Sequence, residues 1–244
     1  MEKIRNLEEF NQRYRGQIGL ILASGPSLCQ HLSFLKSIPY KWATLAVNSS
    51  IIACPDADFF ISDDHDVCNW SYFHNLKDSK TTMLLYEDKL GHTTHAFGDR
   101  AVLYRHRKGE YITDYYDHNC YDFRIGEGRS SVFSAIHIAH IMGCKCIMIL
   151  GLDGCRSGKY RWFWQLPSWE NKPKRTDGKR GDKYRCYIDG QNILDSDLMD
   201  ISRYWEERGP DINKKCLVYN GSVNSVINVF PYIPLNEFVE KYHV

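Results

Sequence analysis

The chain has 244 residues, of which 43% are hydrophobic and 25% charged, with a formal net charge of +1. These values are typical of a globular protein and exclude both a disordered chain and one drawn to polyanions by its overall charge. Nine scattered cysteines without a Cys-x-x-Cys pair argue against a disulfide framework, and the charged N-terminus and lack of a long apolar stretch predict a cytoplasmic protein without a membrane span.

The first fifty residues predict a helix, a strand, a helix and a second strand. Met1–Tyr14 has apolar residues at helical spacing, and Gly19–Leu22 is a short buried-strand pattern. Small residues and a proline end that strand, and Cys29–Lys36 then reads as the first turns of a helix with Ser27 at its N-cap. Lys41–Ser50 is the next strand candidate. A turn of this kind directs backbone N–H groups at one point, which favours phosphate binding.

The rest of the chain continues the alternation of strands and helices. Further strands are predicted at Phe59–Ser62, Thr81–Tyr86, Ala101–Tyr104, Cys144–Leu150 and Cys216–Tyr219, and helices at Ser130–Met142, Ile193–Glu207 and Glu237–Tyr242. We therefore expect an α/β, Rossmann-like, mostly parallel sheet with helices on both faces. Residues 1–244 are predicted to form one domain, with a lid-like basic loop at 156–190 whose run of cations spans 172–185.

Polar residues follow each predicted strand, and in an open α/β sheet ligands bind at the carboxyl ends of the strands. The segments at that edge are Ser24–Ser27, Asn48–Ser50, Asp63–Asp66, Glu87, Gly151–Asp153 and Asn220. The sequence lacks a P-loop, a Gly-x-Gly-x-x-Gly turn after the first strand and a serine nucleophile elbow. These absences argue against P-loop nucleotidases, dinucleotide dehydrogenases and serine hydrolases.

Several charged segments have more than one interpretation. The acidic run Asp63-Asp64-His65-Asp66 is either a solvated turn or a divalent-metal site with Asp64 and Asp66 as ligands. Arg129 precedes a helix and is a candidate for meeting an anion there. The run at 172–185 is either a solvated loop or a clamp on a diphosphate or a polyanionic acceptor, and the tryptophans upstream of it are candidates for stacking on a sugar or a base. His137 and His140 are predicted to pack in the core.

Short patches spread over most of the chain resemble a known superfamily. They are Ile21–Leu28, Asn48, Pro55-Asp56 before a strand that ends at Asp63, Ser130-Ser131 opening a helix, Gly151-Leu152-Asp153 after a strand, and Tyr219–Ser222 with Phe230-Pro231. The chain resembles the bacterial CMP-sialic-acid-dependent sialyltransferases and the 6-hydroxymethylpterin diphosphokinase MptE-like proteins.

The resemblance implies roles for particular residues. The nucleotide and its phosphate would be held by Ser24, Gly25, Pro26, Ser27, Asn48, Ser130 and Ser131. Asp63 would lie near the donor, and Tyr160, with Lys159, Arg161 and Arg129, would contact the leaving phosphate. The sialyltransferase-like members also use a histidine base in the lid, yet no histidine lies between His140 and His243. Asp153, another lid acid or His65 is the alternative base, and Asp63, His65 and Asp153 are the catalytic candidates.

These observations lead us to expect a glycosyltransferase-like enzyme. The donor would be a nucleotide sugar, with a divalent metal left open, and the acceptor a hydroxyl of a glycan or of a hydroxymethylated base in DNA. The alternatives are an MptE-like pyrophosphoryl transferase that uses ATP and magnesium, and a non-catalytic module that binds a nucleotide or a nucleic acid. An oligomer is compatible with the sequence.

Overall fold

A computed structural model describes residues 5–37, 42–111, 124–127, 130–154, 157, 160–178 and 196–242. Its strands are β1 (Arg5–Asn6), β2 (Ile18–Leu22), β3 (Ala43–Val47), β4 (Phe59–Ser62), β5 (Thr82–Tyr86), β6 (Ala101–Tyr104), β7 (His106–Tyr111), β8 (Ile125–Glu127), β9 (Cys146–Leu150) and β10 (Val218–Asn220). Its α-helices are α1 (Leu32–Leu35), α2 (Ser71–Asn75), α3 (Glu87–Leu90), α4 (Ser131–Ile141), α5 (Ser196–Lys215) and α6 (Leu235–Tyr242).

Eight of the strands form one parallel sheet in the order β1-β6-β5-β4-β3-β2-β9-β10. Strands β2 to β6 are added in one direction, and β9 and β10 are added on the other side of β2. The order reverses between β2 and β9, so the switch point lies where their carboxyl ends meet. Strands β7 and β8 form a separate parallel pair.

Apolar side chains cover both faces of the sheet. On one face, Phe59 and Ile61 of β4 join a core that includes α4 and Trp205 of α5. On the other face, Phe60 and the alternate residues of neighbouring strands pack against residues of α1, α2, α3 and α6. Because successive strand residues point to opposite faces, a strand buried on both sides reads as a continuous apolar run. The predicted α/β, Rossmann-like sheet with helices on both faces is confirmed.

Two predicted helices take other forms. Instead of a helix over Met1–Tyr14, the described part of that segment has β1 and a 3-10 helix at Leu7–Phe10 capped by Asn6. Instead of a regular helix over Cys29–Lys36, a 3-10 helix spans Pro26–His31 and continues into α1. Both segments are short, so contacts with the sheet determine their form more than helix propensity does.

The predicted packing of two histidines in the core is confirmed. His137 and His140 are buried in the core, and the Nδ1 atom of His137 accepts a hydrogen bond from the Gly126 amide. The six cysteines among the described residues are free thiols. Within those residues, no helix is long and apolar enough to cross a membrane.

Candidate functional site at the carboxyl edge of the sheet

The turn after β2 is joined to the end of β9 by a buried aspartate. The Ser27 amide donates to Asp153 Oδ2 at 2.8 Å, and the Ser27 hydroxyl donates to Asp153 Oδ1. Asp153 is only 6% exposed. Its burial raises the pKa of the carboxyl, and the two bonds from Ser27 oppose that rise. Both carboxylate oxygens of Asp153 therefore accept hydrogen bonds from within the protein. The donors are the Ser27 amide and hydroxyl, the two groups expected to bind a phosphate.

Gly25 allows this close approach. The Gly25 amide donates to the Gly151 carbonyl at 2.9 Å. A Cβ at position 25 would lie 2.5 Å from that carbonyl oxygen and would collide with the Asp153 carboxylate. Gly25 is also the N-cap of the 3-10 helix Pro26–His31, whose first turn contains Pro26. No side-chain hydrogen bond accompanies this cap. The prediction of Ser27 as the N-cap is therefore wrong, because the Ser27 hydroxyl is turned toward Asp153.

Asn48 follows β3 beside this turn and has two unusual features. Its φ of 53° is in the left-handed region, which asparagine tolerates better than most residues but which still carries strain. Its amide oxygen is buried and has no hydrogen-bond partner in the described structure. The neighbouring hydroxyls are engaged with the backbone, since Ser24 donates to the Val47 carbonyl at 3.0 Å and Ser50 to the Leu22 carbonyl at 2.6 Å. The Asn48 oxygen is thus an acceptor at the switch-point edge.

Asp63 follows β4 and faces the N-terminal turn of α4. Its amide donates to Ser131 Oγ at 2.9 Å, and its Oδ2 atom accepts from the Ser134 hydroxyl at 2.7 Å. Its Oδ1 atom accepts from the Tyr104 hydroxyl. Ser130 caps α4 by accepting from the Val132 amide at 3.3 Å. The positive end of the α4 dipole and two hydroxyl donors therefore stabilise the Asp63 carboxylate.

His106 completes this group and was missed in the sequence. Its Nε2 atom lies 3.6 Å from Asp63 Oδ1 and 3.4 Å from Ser134 Oγ. The ring stacks on Tyr86 with centroids 4.4 Å apart. The side chains of His106 and Asp63 are 10% and 15% exposed. His106 comes two residues after the predicted strand Ala101–Tyr104, so the rule applied to the other strand ends would have identified it.

The acidic run after Asp63 is held by contacts within the protein. Asp64 caps the 3-10 helix His65–Asn69 by accepting from the Asp66 amide. Asp66 forms two bonds with the Arg175 guanidinium, of 2.6 and 2.9 Å, which hold the pKa of Asp66 below its usual value. The His65 side chain is 73% exposed. The described residues contain no group of three His, Cys, Asp or Glu side chains suited to a metal, so this run fits a magnesium site poorly.

Residues 160–178 form one segment, the 160–178 segment, which lies across the carboxyl ends of β2, β3 and β4. The Phe163 amide donates to the Ser24 carbonyl at 3.0 Å, and Trp164 Nε1 donates to Ser49 Oγ at 3.0 Å. Farther along, the Lys174 carbonyl accepts from the Ser71 amide at 2.7 Å. The described part of the basic run is thus packed against the edge.

The proposed phosphate contacts are only partly described. In the 160–178 segment, Tyr160 pairs with Ser157 through the backbone, and the Arg161 guanidinium lies over the Trp162 ring, 5.2 Å from its centroid. Lys159, Arg129 and the basic run from residue 179 onward lie outside the described residues.

Comparisons with known proteins agree with this architecture. A family model described as 6-hydroxymethylpterin diphosphokinase MptE-like matches residues 1–159. No curated protein sequence matches the chain.

Among solved structures, the MAf glycosyltransferase from Magnetospirillum magneticum AMB-1 is similar over 93% of this chain, with a TM-score of 0.57 and 9% sequence identity. The chain spans 37% of the length of that protein. At this identity the likeness shows a shared fold. The family is named for a diphosphokinase and the structural relative is a glycosyltransferase, which supports a transferase at this coarse level.

Proposed function

The chain belongs to the 6-hydroxymethylpterin diphosphokinase MptE-like family, and from this premise we propose that it is a transferase that uses a nucleotide-activated donor. The donor is a nucleotide sugar that binds at the carboxyl ends of β2, β3 and β4, and the acceptor is a hydroxyl group of a glycan or of a modified base in nucleic acid. The fold shared with a glycosyltransferase supports the choice of a sugar donor.

The observation that carries the proposal is the buried, unpartnered amide oxygen of Asn48. A buried acceptor without a donor costs free energy, and such a group is explained when a ligand supplies the missing N–H or O–H. A nucleotide carries both kinds of donor, on its base and on its ribose. The position also fits, because Asn48 lies beside the switch point, where ligands of open α/β sheets bind. The strained backbone at Asn48 is a further feature common at binding sites.

Asn48→Gly tests this proposal, because glycine adopts the left-handed backbone without strain and removes only the amide. We expect about tenfold weaker nucleotide binding, which corresponds to the loss of one hydrogen bond of about 1.4 kcal/mol. Calorimetry with UDP, GDP and CMP and their sugar conjugates measures the affinity. Asn75→Ala, at an exposed position at the end of α2, is the matched control. Unchanged affinity in Asn48→Gly would remove the supporting observation.

The family description favours a second candidate, pyrophosphoryl transfer from ATP. That reaction needs magnesium, for which Asp64 and Asp66 are the candidate ligands and Asp63 is a neighbouring carboxylate. Asp66 is paired with Arg175 and Asp63 is held by hydroxyl donors, so these carboxylates fit a magnesium ion poorly. A thermal-shift panel separates the candidates: stabilisation by ATP with magnesium well above that by any nucleotide sugar would favour the diphosphokinase. Binding without turnover of any donor would favour the non-catalytic module.

A further inference from the structure

Asp63, Tyr86, Tyr104, His106 and Ser134 form a group at the carboxyl edge of the sheet. Its members come from the ends of three adjacent strands, from the start of β7 and from α4. Asp63 follows β4, Tyr86 ends β5, Tyr104 ends β6 and His106 begins β7, while Ser134 lies in the first turns of α4. Residues far apart in the sequence are thus gathered at the edge where parallel sheets bind ligands.

The hydrogen bonds around Asp63 define the tautomer of His106. Ser134 donates its hydroxyl hydrogen to Asp63 Oδ2 at 2.7 Å, so its oxygen is free to accept from His106 Nε2, 3.4 Å away. The Asp63 carboxylate, 3.6 Å from the same nitrogen, also favours a proton there. A hydrogen on Nε2 is the arrangement that satisfies both contacts, and it leaves the lone pair of a base on Nδ1.

The ring is also fixed in orientation. It stacks on Tyr86 at 4.4 Å with an interplanar angle of 21° and lies nearly parallel to Tyr104 at 5.9 Å. His137 provides a contrast, because it is fully buried and its Nδ1 atom accepts from a backbone amide. His106 keeps 10% of its side chain exposed. An imidazole oriented by a carboxylate and still open at the edge is the arrangement of a general base.

We infer that His106 is the general base that deprotonates the acceptor hydroxyl, with Asp63 as its positioning residue. The inference rests on the proposed transfer from a nucleotide sugar. Nδ1 takes the hydroxyl proton while the acceptor oxygen forms a bond to the anomeric carbon. The bond from that carbon to the phosphate oxygen breaks, and its electron pair leaves with the nucleotide. The imidazolium that forms is stabilised by the Asp63 carboxylate and then releases its proton to solvent.

The experiment compares donor turnover in the wild type, His106→Ala and His106→Gln. The probes are UDP-glucose, UDP-galactose, GDP-mannose and CMP-sialic acid, with water as the acceptor, and the released nucleotide is measured. General-base catalysis contributes about 10²- to 10⁴-fold, so we expect kcat to fall by that factor in both variants while the KM for the donor stays within about twofold. His92→Ala, at an exposed histidine outside the site, is the matched control.

Chemical rescue tests the role of the base directly. His106→Ala leaves a space beside Tyr86 of the size of an imidazole ring. Added imidazole is therefore expected to raise the turnover of this variant at least tenfold. A histidine that served only for packing would give no such rescue, because a free base in solution does not repair a protein core. Thermal melting of His106→Ala and of the second variant, His106→Gln, separates loss of the base from loss of the fold.

The outcomes separate the inference from the proposed function. Turnover by the wild type together with turnover by His106→Ala at a similar kcat would overturn the inference and leave the nucleotide-sugar transferase intact. Absence of turnover by the wild type with all four donors, but turnover of ATP, would overturn the proposed function. A folded His106→Ala that binds donor, loses turnover and regains it with imidazole would support both.

Discussion

Asp63 and Asp153 both follow strands of the same parallel sheet, yet their surroundings differ. Asp153 lies at the end of β9, is 6% exposed, and receives both the amide and the hydroxyl of Ser27. Asp63 lies at the end of β4 and receives two hydroxyls, but it also faces the imidazole of His106, a group that can gain a proton. The Asp153 carboxylate joins two segments of the chain, whereas the Asp63 carboxylate lies beside an imidazole that can accept a proton.

The difference arises from the neighbouring strands. The end of β9 adjoins the turn after β2, and Gly25 brings that turn so close that the carboxylate is enclosed. The end of β4 adjoins β5, which in turn pairs with β6. Tyr86 at the end of β5 stacks on Tyr104 and on His106 beside Asp63. We therefore expect Asp153 to act as a structural anchor and Asp63, under the proposed mechanism, as a partner in proton transfer, because the adjacent strand ends contribute different groups.

Among the carboxylates of this edge, Asp63 is expected to give the largest effect on activity when it is replaced by asparagine. The carboxamide accepts from one of the Tyr104 and Ser134 hydroxyls and donates to the oxygen of the other, so the fold is retained. It carries no charge to stabilise the imidazolium of His106. We expect kcat for nucleotide-sugar turnover to fall by about 10²-fold with an unchanged KM for the donor. Asp78→Asn, at an exposed aspartate, is the control. An equal kcat in wild type and Asp63→Asn would remove the distinction drawn between the two carboxylates.

Asp153→Ala is expected to act on stability instead. It leaves the buried Ser27 amide and hydroxyl without their acceptor, which costs about 2–4 kcal/mol of unfolding free energy in urea denaturation. Asp153→Asn is expected to cost less, because its carboxamide accepts from the Ser27 amide and donates to the Ser27 hydroxyl oxygen. If Asp153→Asn instead lowered kcat as strongly as Asp63→Asn does, Asp153 would belong to the chemistry.

Asp66, a further carboxylate at this edge, gives the smallest effect. Arg175 lowers the pKa of Asp66, so their ion pair stabilises the fold above the ordinary aspartate pKa of about 3.9 and is lost as the pH falls through the lowered value. Arg175→Gln is expected to cost about 1 kcal/mol at pH 7, and the difference from wild type should shrink at pH 3. Urea unfolding at both pH values measures this. Lys174→Gln, an exposed neighbouring cation, is the control, and a difference independent of pH would argue against the ion pair.

Much of the sheet could be predicted because its strands are short apolar runs bounded by turn residues. Phe59–Ser62 and Ala101–Tyr104 were predicted with the bounds that the structure has. A helix over Ser130–Met142 was predicted from its apolar residues, and α4 spans Ser131–Ile141 with Ser130 as its N-cap. The two-residue strand β1 was missed, since Arg5 and Asn6 carry no apolar pattern and pair only because β6 provides an open edge. Local pattern is a poor guide where pairing alone determines the conformation.

The sequence by itself determined which residues follow the strands, and hence that Ser24, Asn48, Asp63 and Asp153 share one edge of the sheet. It could not determine their partners, because each partner belongs to another strand end or helix that is distant in sequence: Ser27 and Asp153 are 126 positions apart, and His106 and Ser134 are 28 apart. Only the tertiary structure decided that Ser27 encloses Asp153 and that His106 faces Asp63. Side-chain periodicity assigns residues to an edge or a face, whereas strand order and the depth of each turn decide which groups meet there.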